Sequence, residues 1–181
     1  MFSSSPEQND QRPTRPSFDA WAATVLDATR AAALRFVQKL RQRGETVAFT
    51  NGVFDLIHPG HIRYLQAARN LADGLIVGVN SDRSVRSNKG AGRPLTPENE
   101  RAEIIAALAC VDAVVIFDED TPHEIIAALQ PDILVKGADW AEDAIVGRDI
   151  VEARGGRVVR IPVEAGYSTT RILESIRSRI R

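Results

Sequence analysis

The chain has 181 residues, enough for one domain with a short extension, and its 44% hydrophobic and 26% charged side chains describe a protein that buries a full core. With 23 basic against 24 acidic side chains the formal net charge is −1, which excludes a global field for gripping nucleic acid or an anionic membrane. A single cysteine, Cys110, excludes an internal disulfide, no Cys/His spacing fits a metal, and no apolar run approaches the roughly 20 residues of a membrane span.

Residues 1–16 are rich in Ser, Gln, Asn, Pro and Arg and lack the apolar stretch of a signal peptide. They read as a disordered extension of a cytoplasmic protein, with residues 17–181 as its one domain. Trp21, Val25, Leu26, Leu34, Val37 and Leu40 then fall on helical spacing, as one long helix or two short ones, with Ser17 or Asp19 as N-cap and Gly44 as the stop. After Gly44 the period changes. Residues 46–50 form a short β-branched and aromatic strand, 61–72 a helix, 75–80 a second strand, and 81–97 a long polar loop. A helix over 98–109 precedes a strand at 113–117, and a helix over 122–129, capped by Thr121, precedes a strand at 133–135. A helix over 143–154, a strand at 158–161 and a closing helix over 168–180 complete the chain. Cys110 lies in an apolar run and reads as a core residue.

Five apolar strands alternating with helices predict an α/β, Rossmann-like fold: a five-stranded parallel sheet with helices on both faces and right-handed crossovers. Such sheets bind ligands beyond the carboxyl ends of the strands, where strand order reverses. The loops after Thr50, Asn80, Phe117, Val135 and Ile161 are therefore the places for chemistry.

The first of these loops is the most informative. It runs Thr50-Asn51-Gly52-Val53-Phe54-Asp55-Leu56-Ile57-His58-Pro59-Gly60-His61, so two of the chain's three histidines flank a Pro-Gly pair at a helix start. Gly60 admits a ligand close to the backbone, and the free N–H groups and positive dipole end of the helix attract an anion. Both imidazoles can donate to phosphate oxygens. The segment resembles the His-x-Gly-His signature of the nucleotidyltransferase superfamily, which includes cytidylyltransferases and pantetheine-phosphate adenylyltransferase. Its longer string is similar to the cytidylyltransferase-type branch in particular.

A second element, Gly166-Tyr167-Ser168-Thr169-Thr170-Arg171, opens the last helix. Taken alone, three hydroxyls at a helix start read as an N-cap or a phosphate site, with Arg171 adding positive charge. Beside the first motif, it resembles the family's second signature, Ser-Thr-Thr followed by a basic residue. The resemblance extends from residue 46 to about 176, and is closest to the heptose 1-phosphate adenylyltransferase branch, the adenylyltransferase half of bifunctional heptose kinase/adenylyltransferases of lipopolysaccharide precursor synthesis. The stretches that carry it are LIVGVNSD (75–82), Ser84-Val85-Arg86 with Lys89-Gly90, Arg93-Pro94, Val111-Asp112, FDEDTP (117–122), PDILVKG (131–137) and Ser168 to Thr170. With no sugar-kinase half beside it, a stand-alone adenylyltransferase is expected. Glycerol-phosphate-type relatives carry arginine near position 163, where this chain has Val163, which argues against those substrates.

The resemblance implies ATP, accompanied by Mg²⁺ held mostly by the phosphates rather than by protein ligands, and D-glycero-β-D-manno-heptose 1-phosphate as acceptor. The products would be ADP-heptose and pyrophosphate. It assigns catalysis to His58, His61, Lys89 and Arg171, and nucleotide or phosphate binding to Thr50, Asn51, Gly52, Phe54, Gly60, Arg101, Lys136, Gly137, Asp139, Ser168, Thr169 and Thr170. Asp55, Asn80 and Asp82 are weaker substrate-binding candidates, and Lys136 has an alternative role in an ion pair with Asp82 or Asp139. Neither nucleic acid nor membrane is an expected partner, and a homodimer is. The competing readings are a CTP-dependent transferase acting on an alcohol phosphate such as glycerol 3-phosphate, and an idle nucleotide-binding module. The second is disfavoured by the presence of both histidines.

Overall fold

The computed structural model describes residues 28–162, 164 and 166–180. The expectations for residues 1–16, for Trp21, Val25 and Leu26 with caps Ser17 and Asp19, and for Val163 lie outside the described residues. Five strands, β1 (Val47–Gly52), β2 (Gly74–Asn80), β3 (Ala113–Phe117), β4 (Ile133–Gly137) and β5 (Arg157–Ile161), pair in parallel in the order β3-β2-β1-β4-β5. The helices are α1 (Arg30–Gln42), α2 (Pro59–Arg69), α3 (Asp82–Lys89), α4 (Glu98–Ala106), α5 (His123–Leu129), α6 (Arg148–Glu152) and α7 (Thr169–Ile180), with a 3₁₀ turn at Glu142–Ala144.

Alternation along the strands sorts the core into two layers. Phe49, Ile76, Val115 and Leu134 pack on one face against Val37 of α1, Ile126 of α5 and Val151 of α6. Ala48, Val77, Val79 and Val135 pack on the other against Leu65 of α2 and Ile105 of α4, with Cys110 among them as expected. The α/β sheet covered on both faces is thus the fold that the apolar strands predict.

Three local expectations change. Residues 82–89, expected within a loop, form α3: the Ser81 hydroxyl accepts from the Ser84 N–H at 3.1 Å, with Asp82 in the first turn and Arg86 and Lys89 in the last. Its one buried apolar side chain, Val85, gives hydropathy no period to show. The helix expected over 143–154 breaks into the 3₁₀ turn and α6 because Gly147 adopts φ +86°, where an added Cβ would meet Ile126 at 2.6 Å. Thr121 does not cap α5, whose N-cap position is Pro122. Among the described residues α1 is capped by Thr29, and Gly44 stops it as expected at φ +72°.

The chain leaves β1 towards β2 and returns on its other side as β4, so the loops beyond β1 and β4 diverge and open a crevice. A buried polar clamp holds the β1 side of that crevice. Arg101 is 0% exposed; its guanidinium donates to the carbonyls of Thr96 (2.9 Å), Val53 (2.6 Å) and Asn80 (2.8 Å) and to the Asp82 carboxylate (2.7 Å). Asp55, 6% exposed, accepts from Arg93 (2.6 Å) and from the backbone N–H groups of Leu95 (2.8 Å) and Thr96 (2.9 Å).

Replacing Arg101 with methionine strands the Asp82 carboxylate and three carbonyls, and the expected loss is about 3–5 kcal/mol of stability. Urea unfolding with an unchanged denaturant slope but a lower midpoint is the expected record. A midpoint like that of the unchanged chain contradicts the clamp.

Candidate phosphate site at the carboxyl edge of the sheet

The signature loop leaves β1 through Phe54, held at φ +50°, and ends in α2. His58 is the N-cap of α2, with Pro59 in its first turn. Its Nδ1 accepts from the His61 N–H at 3.3 Å, so in the neutral ring the proton sits on Nε2, free to donate. The two imidazoles stack with centroids 3.7 Å apart, and Phe54 meets the His61 ring edge-on at 5.4 Å. Burial and then the like charge of His58 push the His61 pKa down to about 4, against a hydrogen bond with the Leu56 backbone; burial also lowers that of His58. The pair is therefore neutral at pH 7, and the buried His61 Nδ1 has no hydrogen-bond partner among the described residues.

Gly60 is the point where the two signatures meet. A Cβ there would lie 3.1 Å from both His58 Nδ1 and the Tyr167 Cβ, so only glycine lets the second signature approach this closely. Tyr167 lies 6.2 Å from His58 between ring centroids and carries the Arg63 guanidinium over its own ring. His58, Tyr167, Ser168 and Arg171, with one side of α7, line an open groove of about 370 Å³. The Ser168 hydroxyl accepts from the Arg171 N–H at 3.1 Å, while the Arg171 side chain reaches back to the Gly166 carbonyl at 3.1 Å. Ser168, Thr170 and Arg171 are exposed and Thr169 half-buried.

The remaining expected site residues divide. Lys136, 7% exposed, donates to the Asn51 side-chain oxygen and lies 5.9 Å from the Trp140 ring centroid. The ion pair expected with Asp82 or Asp139 is not made: Asp82 is taken by Arg101, and Lys136 has no carboxylate within 4 Å among the described residues. Burial pushes its pKa down to about 8. Gly137 is half-buried at the end of β4, and Asp139 is exposed beyond it. Thr50 is fully buried, its hydroxyl bonded to Tyr64 at 2.8 Å. Gly52 packs against the Phe54 ring, where an added Cβ would stand 3.1 Å away.

Four expectations are corrected by the partners these residues make. Arg101, expected on a phosphate, faces inward. Asp55, expected to orient a ligand or ion, has its oxygens occupied by Arg93 and two backbone N–H groups. Asn80 donates to Ser84 at 3.0 Å, and with Asp82 it supports the clamp rather than a substrate. Lys89 is exposed at the end of α3, makes no ion pair among the described residues and does not line the groove. Tyr167, Tyr64 and Arg93 also shape the site, each standing next to or within a motif that assigns it no role. No group of three or more His, Cys, Asp or Glu residues suited to a metal occurs among the described residues.

A parallel sheet with an imidazole pair at one helix start and a Ser-Thr-Thr-Arg helix start across the groove is the frame of a nucleotide-binding α/β domain. The chain belongs to the cytidylyltransferase-like family, whose profile matches residues 49–175. It is 58% identical over 139 residues to the bifunctional protein HldE of Syntrophotalea carbinolica, covering 77% of this chain and 28% of that protein. With HldE of Geotalea uraniireducens it shares 54% over 153 residues, 84% of this chain and 30% of the relative. The chain thus spans less than a third of these curated relatives. Among solved structures, the lipopolysaccharide core biosynthesis protein of Thermoplasma volcanium superposes with a TM-score of 0.56 at 30% identity, covering 67% of this chain and 98% of that one.

The histidine pair makes stability depend on pH. Between pH 6.5 and about 4 the unfolded chain binds a proton at His61 that the folded chain refuses, so stability falls as pH drops through that window. His58 acts in the same direction, whereas Asp55, whose folded pKa lies below 3.8, loses its contribution only at lower pH. The melting temperature should decline from pH 6.5 to 4, and His61→Gln should flatten that decline. Equal declines in both proteins contradict the assignment.

Proposed function

We propose that the protein transfers the adenylyl group of MgATP to D-glycero-β-D-manno-heptose 1-phosphate, yielding ADP-heptose and pyrophosphate for lipopolysaccharide precursor synthesis. The observation that carries this reading is the meeting of both family signatures on one groove, at His58 and at Ser168 and Arg171. The HldE relatives, matched over most of this chain, support the choice of nucleotide and sugar.

In this reading an oxygen of the acceptor phosphate attacks the α-phosphorus of ATP. A P–O bond forms there, and the bond from the α-phosphorus to the α–β bridging oxygen breaks, that oxygen leaving with pyrophosphate. The acceptor is anionic at neutral pH and needs no general base. Catalysis is positioning and neutralisation of charge as the phosphorus becomes five-coordinate. His58 donates through Nε2, and His61, aligned by the stack and by Phe54, donates beside it. Ser168, Thr169, Thr170 and Arg171 hold the departing pyrophosphate at the start of α7. Lys89 comes over the phosphates from the end of α3, and Gly137 and Asp139 border the nucleotide. Magnesium enters as MgATP, coordinated by phosphate oxygens and water. In this reading the protein works in the cytoplasm and, as the family resemblance implies, as a homodimer.

The test is pyrophosphate release with ATP, CTP, GTP or UTP, each offered with the heptose 1-phosphate, glycerol 3-phosphate or phosphocholine. Turnover with ATP and the heptose phosphate is the expected result. Turnover with CTP and glycerol 3-phosphate instead keeps the chemistry and overturns the substrates. For the active pair, His61→Ala should lower kcat about a hundredfold or more while the protein stays folded. Near-normal turnover removes His61 from the mechanism.

A further inference from the structure

Only two cationic side chains among the described residues are buried, Arg101 and Lys136, and the fold treats them oppositely. Arg101 has a carboxylate at 2.7 Å and three carbonyls. Lys136 has one neutral acceptor, the Asn51 side chain, and no carboxylate within 4 Å. An ammonium group offers three donors, and a buried cation left without counter-charge is costly to fold. Burial lowers its pKa. Asp139, three residues on, is exposed, and its field falls on Tyr64.

The position of Lys136 says what kind of group completes it. It is the last residue but one of β4, between β1 and β5, the strands whose loops carry the two signatures, and so stands near the carboxyl edge of the sheet where strand order reverses. The triphosphate already has two helix starts, two imidazoles and Arg171 available to it. Apart from Lys89, which comes over the phosphates from α3, the second anion of the reaction, the acceptor phosphate, has no cation assigned to it. Beside the ammonium lies Trp140, 52% exposed and 5.9 Å from Nζ to ring centroid. A flat indole next to a lone cation suits a phosphate monoester attached to a ring with an apolar C–H face, which is the shape of a sugar 1-phosphate.

Resting on the transferase reading above, we propose that Lys136 and Trp140 form the acceptor subsite: the Lys136 ammonium holds the sugar phosphate and the Trp140 ring carries the sugar. Asn51 positions the ammonium from β1. Lys136 thereby draws the nucleophile's charge towards the α-phosphorus, against the repulsion between two anions.

The test uses the full chain with Trp21→Phe, which leaves Trp140 as the sole tryptophan. Its fluorescence is titrated with heptose 1-phosphate and with glycerol 3-phosphate, each with and without α,β-methylene-ATP, and in a separate arm with α,β-methylene-ATP alone. Lys136→Met should weaken the sugar phosphate at least tenfold and leave the nucleotide within twofold. The melting temperature without ligand should be unchanged or higher, because a strained buried charge has been removed. Lys136→Arg should restore part of the affinity. Loss of nucleotide affinity with the sugar phosphate unaffected overturns the proposal and gives Lys136 to ATP. A lower melting temperature with both affinities intact also overturns it and makes Lys136 structural. The titration needs no turnover, so failure of pyrophosphate release refutes the transferase reading separately.

Discussion

The geometry of the crevice depends on one buried guanidinium. Arg101 ties the loop after β1 through Val53, the end of β2 through Asn80, and the segment before α4 through Thr96. Three pieces of chain distant in sequence are thereby fixed to one planar, permanently charged group. Asp55 and Arg93 repeat the device one layer nearer the surface, and Phe54 is held at positive φ between them. The imidazole pair then has little freedom: His58 is set by its capping bond, and His61 is wedged between His58 and Phe54. Rigid polar scaffolding beneath a phosphate loop is what a reaction governed by positioning requires.

Against that satisfied scaffold, two buried polar groups are incompletely paired. His61 keeps a buried nitrogen without a partner, and Lys136 a buried charge without a counter-charge. Each leaves a buried polar group incompletely paired, which is costly to fold. Arg101 and Lys136 are thus the two sides of one division: one buried cation is fully paired, and the other has a single neutral partner.

Much of this was legible from the residues. The five strands announce themselves as short apolar runs, and their alternation with helices determines where ligands bind. The two signatures are local strings whose chemistry follows from residue type and position at a helix start. What escaped depends on contacts between distant segments. An arginine at a helix start reads as a phosphate ligand until three carbonyls from other loops are seen to converge on it. Asp55 looks like a ligand for an ion until Arg93, Leu95 and Thr96 occupy it. Helix α3 is too polar for a hydropathy period, and the break before α6 arises from Ile126 standing over Gly147. The pairing of Lys136 with Asn51 rather than an aspartate follows from β4 lying beside β1, an order that no local pattern reveals.

The transfer itself is tested most directly by following oxygen. Heptose 1-phosphate labelled with ¹⁸O in its phosphate is incubated with MgATP and the protein, and the products are resolved by ³¹P NMR. Direct attack by the acceptor phosphate on the α-phosphorus places ¹⁸O in the bridge between the two phosphorus atoms of the sugar nucleotide and releases unlabelled pyrophosphate. Release of ADP in place of pyrophosphate, or AMP carrying solvent oxygen, contradicts nucleotidyl transfer to a phosphate acceptor.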